Sequence, residues 1–195
     1  MIKIATAECF THGKIGRELH AIAQNYEGEF GREYIENPKK YGDFDYNELS
    51  VTCSLFIPTI EAVVKILDVK NPPKPDKLIK GIKVYDEQGD KTVSKIMAQA
   101  VKDLTECDIA IGTTAGVGRG GISIITDEYE LTTTTSIYAD LCENNSETLF
   151  KRSEDGIKKA LELTLLLVNN RIDEIEIWEN IEIIKKEWLN IFKFV

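Results

Sequence analysis

The spacing of apolar residues changes several times along the chain, and each change predicts an element. MIKIATA, residues 1–7, is a short apolar run that predicts a central β-strand. From Lys14 the apolar positions move to Ile15, Leu19, Ile22 and Tyr26, which share one face of a helix. Residues 27–46 lose the period and are rich in Gly, Tyr and charge, an excursion longer than the usual connection. Phe30, Tyr34, Tyr41, Phe44 and Tyr46 in it are candidates to pack on the domain, on a twin subunit or over a ligand. LSVTCSLFI, residues 49–57, predicts a second strand. Pro58 suits the first turn of a helix over 59–68, and NPPKPDK, residues 71–77, a stiff surface connection. Residues 78–86 predict a third strand. Val93, Ile96, Met97, Ala100, Val101 and Leu104 predict a helix over 92–107. A strand beginning at Cys107 runs into a glycine-rich loop ending at Gly121. Residues 122–135 predict a hairpin turning near Asp127 and Glu128, residues 156–170 a strong helix, and residues 187–192 a closing helix.

Strands alternating with helices predict an α/β fold: a single three-layer domain over 1–195, with a mixed, largely parallel sheet and flanking helices. A length of 195 residues suits one packed domain. In such sheets ligands sit beyond the carboxyl ends of the strands. The loops at 6–14 and 112–121 both leave strands there, so a shared pocket at one rim is expected.

A net charge of -9, from 24 basic and 33 acidic residues, argues against nucleic-acid partners. No apolar run approaches the roughly 20 residues of a membrane span, so no membrane partner is expected. Glu8, His12, Lys14 and Arg17 interrupt any signal-peptide core, which places the expected location in the cytoplasm. The four cysteines, Cys9, Cys53, Cys107 and Cys142, contain no CxxC and read as reduced thiols, with no metal site expected.

Cys9 alone has a reactive setting. It falls in a strand-to-helix turn, where free amides and the helix dipole favour a thiolate. His12, three residues on, is a candidate proton acceptor. The plainer alternatives are a small buried cysteine, and a histidine that caps the helix or binds a carboxylate. Thr6, Glu8, Thr11, Gly13 and Lys14 complete the candidate binding side of this turn. Glu8 alternates away from Ala7 and Cys9, and Lys14 and Arg17 are equally suited to a solvated helix face. In the second loop Gly112, Thr113, Thr114, Gly116, Gly118, Arg119 and Gly120 offer amides, hydroxyls and a guanidinium suited to a phosphate or a nucleotide edge. The alternative is a mobile loop with no ligand. Thr133 and Thr134, from TTTTS, either line the same rim or are ordinary strand hydroxyls.

The strings ATAECFTHGKIGRE and CDIAIGTTAGVGRGGISIIT resemble the HcgF family of methanogenic archaea, which is linked to making the iron-guanylylpyridinol cofactor of iron-only hydrogenase. The resemblance implies that the carboxyl group of a guanylylpyridinol precursor becomes a thioester on Cys9. It also implies a partner, an adenylating enzyme resembling ubiquitin-activating enzymes, which activates that carboxyl first. A homodimer and downstream cofactor-assembly proteins follow from the same resemblance. From the residues alone, two other functions stay open. One is a cysteine-dependent amidohydrolase or nucleotide hydrolase using Cys9 and His12. The other is a non-enzymatic nucleotide- or cofactor-binding carrier protein.

Overall fold

The computed structural model describes residues 1–143 and 145–186. In chain order the elements are β1 (Ile2–Glu8), α1 (Lys14–Ala23), β2 (Leu49–Phe56), α2 (Ile60–Lys65), β3 (Lys77–Ile79), β4 (Ile82–Val84), α3 (Glu87–Thr105) and β5 (Ile109–Thr114). They continue with β6 (Val117–Gly118), β7 (Gly121–Ile125), β8 (Tyr129–Thr133), β9 (Ala139–Asp140), α4 (Ser146–Val168), α5 (Ile172–Glu176) and β10 (Glu182–Lys185). The helix expected over 187–192 lies outside the described residues.

The main sheet has the order β10-β8-β7-β5-β1-β2. Only β1–β2 and β1–β5 are parallel; β5–β7, β7–β8 and β8–β10 are antiparallel. The expectation of a largely parallel sheet is therefore overturned: the domain is mixed α/β with flanking helices, and its sheet is mostly antiparallel. Connection length is the physical reason. A parallel pair needs a crossover of a dozen or more residues. The chain has such crossovers through α1 and α3, but β5 reaches β7 through residues 115–120 and β7 reaches β8 through a hairpin. The strand expected over 78–86 is corrected too. It is the hairpin β3–β4, a separate two-stranded sheet.

Side-chain alternation builds a core on each face of the main sheet. Ile4, Ile109, Ile111 and Ile124 pack with Leu19 of α1 and with Ile157 and Leu161 of α4. Ala5, Ala7 and Ala110 pack with Val93, Met97 and Val101 of α3. The second face is small because α3 lies close upon it. A Cβ on Gly112 would stand 2.0 Å from the Ser94 carbonyl oxygen and 2.6 Å from the Ala98 nitrogen.

The excursion packs on its own domain. Glu18, buried on α1, accepts the amides of Glu33, Tyr34 and Ile35 at 2.8, 2.8 and 2.9 Å. The Tyr41 hydroxyl donates to Glu162 of α4 at 2.9 Å, and Asn169 accepts the Phe44 amide at 2.9 Å. Its aromatic residues are thus tied to α1 and α4, although Phe30 is exposed.

Overpacking at Gly112 would force α3 off the sheet. Gly112→Ala should lower unfolding free energy by about 3 kcal/mol, measured by urea denaturation.

Candidate functional site

The turn between β1 and α1 is built around a buried carboxylate. Glu8 has no exposed surface, and its two oxygens accept from the hydroxyls of Thr6 and Thr11, each at 2.8 Å, and from the amides of Ile15 and Gly16 at 3.1 and 2.9 Å. Burial raises its pKa, and these four bonds oppose the rise. The α1 amides, expected from the sequence to face Cys9 or a ligand anion, are therefore given to Glu8. Thr11 also bonds the Thr113 hydroxyl at 2.8 Å. Thr113 accepts the Cys9 amide at its carbonyl oxygen, 3.0 Å, and at its hydroxyl, 3.2 Å. The two loops thus meet at one rim, and Thr6, Thr11 and Thr113 are buried in the network that joins them.

Beyond Cys9 the chain turns sharply. The His12 amide donates to the Cys9 carbonyl at 3.2 Å, and His12 and Gly13 both take left-handed φ values, +56° and +77°. That conformation is uncommon for a residue with a side chain. It turns the exposed imidazole toward Phe56, with ring centroids 5.6 Å apart. Partial burial of the ring, with the Lys14 charge adding to it, lowers the His12 pKa, which favours the neutral form. Lys14 itself donates to the Tyr34 hydroxyl at 2.8 Å, a bond that raises its pKa.

Cys9, His12, Phe56, Ala115, Leu149 and Arg152 are among the walls of a cavity of about 140 Å³. Its size is close to that of the engineered cavity of about 150 Å³ that admits one benzene. Cys9 is 6% exposed. Of the other thiols, Cys107 is buried, burial raises the pKa of half-buried Cys53, and Cys142 is exposed.

The glycine-rich loop is held by the protein itself. Gly116, Val117 and Arg119 give their amides to Asp90 (2.7 Å), the Tyr85 carbonyl (2.8 Å) and Glu87 (3.0 Å). The Arg119 guanidinium forms a two-pronged pair with Glu87, at 2.9 and 2.7 Å. Gly118 and Gly120 turn the loop with φ values of +126° and +72°. None of these loop residues lines the cavity; Ala115 does. Thr133 bonds the Asn180 carbonyl at 3.1 Å, whereas the buried hydroxyls of Thr114 and Thr134 have no partner.

Sequence reasoning missed the titratable groups behind the cavity. Arg152, 2% exposed, donates from Nη1 to the carbonyls of Gly116 (3.1 Å), Gly118 (2.8 Å) and Ala139 (2.8 Å). Burial lowers its pKa, and the charges of Asp90, Cys9 and Asp140 act against that. Buried Lys83 donates to the carbonyls of Ile57 (3.0 Å) and Pro58 (3.3 Å). Burial pushes the Asp90 carboxyl up to about 7, although the Gly116 amide, Arg152 and Lys83 pull it down. The Thr114 hydroxyl lies beside Asp90 without a well-formed hydrogen bond to it. The missed signal was periodic: Arg152 stands four residues before Gly156 and eight before Ala160 on the buried stripe of α4. Among the described residues no group of three His, Cys, Asp or Glu is placed to hold a metal ion. No described helix is long and apolar enough to cross a membrane.

A family model described as "FeGP cofactor biosynthesis protein HcgF" matches residues 1–168. The chain belongs to the HcgF family. Relatives carry a plainer title. A UPF0254 protein of Methanopyrus kandleri is 38% identical over 190 residues, 97% of this chain and 96% of that one. A UPF0254 protein homolog from Methanothermobacter thermautotrophicus strain Winter is 42% identical over 163 residues, 84% of this chain and 93% of that one. Membership of the HcgF family assigns the chain to biosynthesis of the iron-guanylylpyridinol cofactor, in a biosynthetic role.

Asp90 makes stability depend on pH. Its folded value, about 7, lies above the ordinary 3.8, so the fold favours its protonated form. Stability from this group is present at low pH and is lost as pH rises through about 7. The wild type should therefore lose stability relative to Asp90→Asn between pH 4 and 7, with no further divergence above. Urea titrations across that range check it.

Proposed function

We propose that this HcgF family member accepts the carboxyl group of a guanylylpyridinol precursor as a thioester on Cys9. The observation that carries the reading is the cavity. A thiol stands in the wall of a space of about 140 Å³, the size for one six-membered ring. A pyridinol ring fits there and a whole guanine nucleotide does not, so the guanylyl group would lie outside the mouth. Membership of a family of iron-guanylylpyridinol cofactor biosynthesis supports a guanylylpyridinol precursor as the substrate.

In the proposed step the carboxyl arrives as an acyl-adenylate made by a partner enzyme. The Cys9 sulfur attacks the carbonyl carbon and an S–C bond forms. The C–O bond to the adenylyl phosphate breaks, and its electron pair leaves on AMP. The thiol proton passes to His12, which favours its neutral form and lines the same cavity. Phe56 and Leu149 give the thioester apolar walls. The bond stores the acyl carbon in activated form for a later transfer or reduction.

Intact-protein mass spectrometry after incubation with guanylylpyridinol, ATP and the adenylating enzyme tests the reading. One thioester adduct should form on the wild type and none on Cys9→Ser. An undiminished adduct on Cys9→Ser would move the reaction to another residue.

The pH dependence separates the role of His12. Its lowered pKa keeps the base available at neutral pH, and protonation should slow acylation only below the usual histidine range near 6.5. His12→Ala should slow the reaction at pH 7 and remove that acidic decline. Stopped-flow acylation rates from pH 5 to 8 read both effects.

A further inference from the structure

Arg152 is a buried cation in the wall of the Cys9 cavity, and the acyl-transfer step described above gives it no task. A shielded guanidinium is costly to keep unless its donors are used. Nη1 is fully used, with three carbonyl oxygens within 3.1 Å. Nε is buried and has no hydrogen-bond partner. The side chain is immobilised from three directions: the carbonyls of Gly116 and Gly118, that of Ala139, and the Phe10 ring, whose centroid lies 5.9 Å from the guanidinium carbon. Gly156 makes room for that ring, since a Cβ there would stand 2.5 Å from Phe10. A fixed cation that shares a cavity with a nucleophile is the arrangement that stabilises charge developing on a carbonyl oxygen.

We propose that Arg152 is the charged donor to the acyl oxygen during thioester formation at Cys9. This rests on the acyl-transfer reading. When the sulfur bonds to the carbonyl carbon, the C=O π pair moves onto oxygen. A guanidinium N–H of Arg152 donates to that oxyanion. The pair then returns to re-form C=O as the leaving group departs. Arg152 gives up no proton and nothing is oxidised or reduced. The same donor polarises the finished thioester carbonyl for the next nucleophile or hydride.

The test uses two reagents on the full-length protein. The 4-nitrophenyl ester of pyridylacetic acid acylates the thiol through an oxyanion and releases nitrophenolate. Iodoacetamide alkylates the same sulfur with no oxyanion. Arg152→Lys keeps a cation for the three carbonyls and removes the second donor. Acylation of Cys9 should then slow by roughly 100-fold, while alkylation keeps its wild-type rate. Equal slowing of both reactions, or unchanged acylation, would overturn the proposal. A second measurement needs no variant and decides the matter if Arg152→Lys does not fold. In the wild type, a guanidinium ¹H–¹⁵N resonance of Arg152 should move downfield when Cys9 is acylated and stay in place when Cys9 is alkylated. No movement on acylation would count against the donor role. If the ester leaves wild-type Cys9 unmodified, the acyl-transfer reading itself fails and takes this inference with it.

Discussion

The site hangs on one carboxylate that never meets water. Helices α2, α3 and α4 begin on local caps, Thr59, Asp86 and Asn145, whose side chains accept an amide three residues on. Helix α1 begins at Gly13 with no such cap. Glu8 takes that place from the end of the preceding strand, gathering two helix amides and two hydroxyls. Bonds to a charged acceptor are worth about 1.5–3 kcal/mol each, set against a desolvation cost of several. The interaction joins strand to helix across the turn, and everything between them is fixed as a result. Cys9 is the residue directly between Glu8 and the turn, so its position follows from its neighbour's bonds.

The same carboxylate explains which parts of the site could be read from the chain. Cys9 was legible because a cysteine at a strand-to-helix turn is unusual whatever surrounds it. The meeting of the two special loops was legible from strand direction alone, since β1 and β5 are parallel neighbours. The destination of the helix amides was not, because a glutamate directly after an alanine looks the same whether it is buried or solvated. The glycines misled for a related reason. Gly112 is required by the closeness of α3, and the loop amides are consumed by Asp90, Tyr85 and Glu87, none of which is adjacent in sequence. Arg152 and Asp90 were hidden by helix starts placed too late, at Gly156 and Thr92. Extended to Ser146 and Glu87, the same periodicities put both charges on buried faces.

Among the elements, local pattern carried further than topology. The helix from Lys14 and the hairpin through Asp127 and Glu128 follow from side-chain spacing and turn chemistry. Sheet direction depends instead on how many residues lie between strands. The short passage through residues 115–120 reverses the chain, where a crossover helix would have kept it parallel. That reversal also presents the Gly116 and Gly118 carbonyls to Arg152, so the antiparallel half of the sheet is part of how the cavity wall is held.

The bond from the Cys9 amide to Thr113 spans 104 residues, and Arg152 comes later still. Contacts that distant form late, because closing long loops costs entropy before any packing offsets it. During synthesis Cys9 leaves the ribosome well before Leu149 and Arg152, which share the walls of its cavity. The nascent chain therefore carries an unpositioned thiol for most of its translation. The walls around the Cys9 thiol are therefore complete only in the finished molecule.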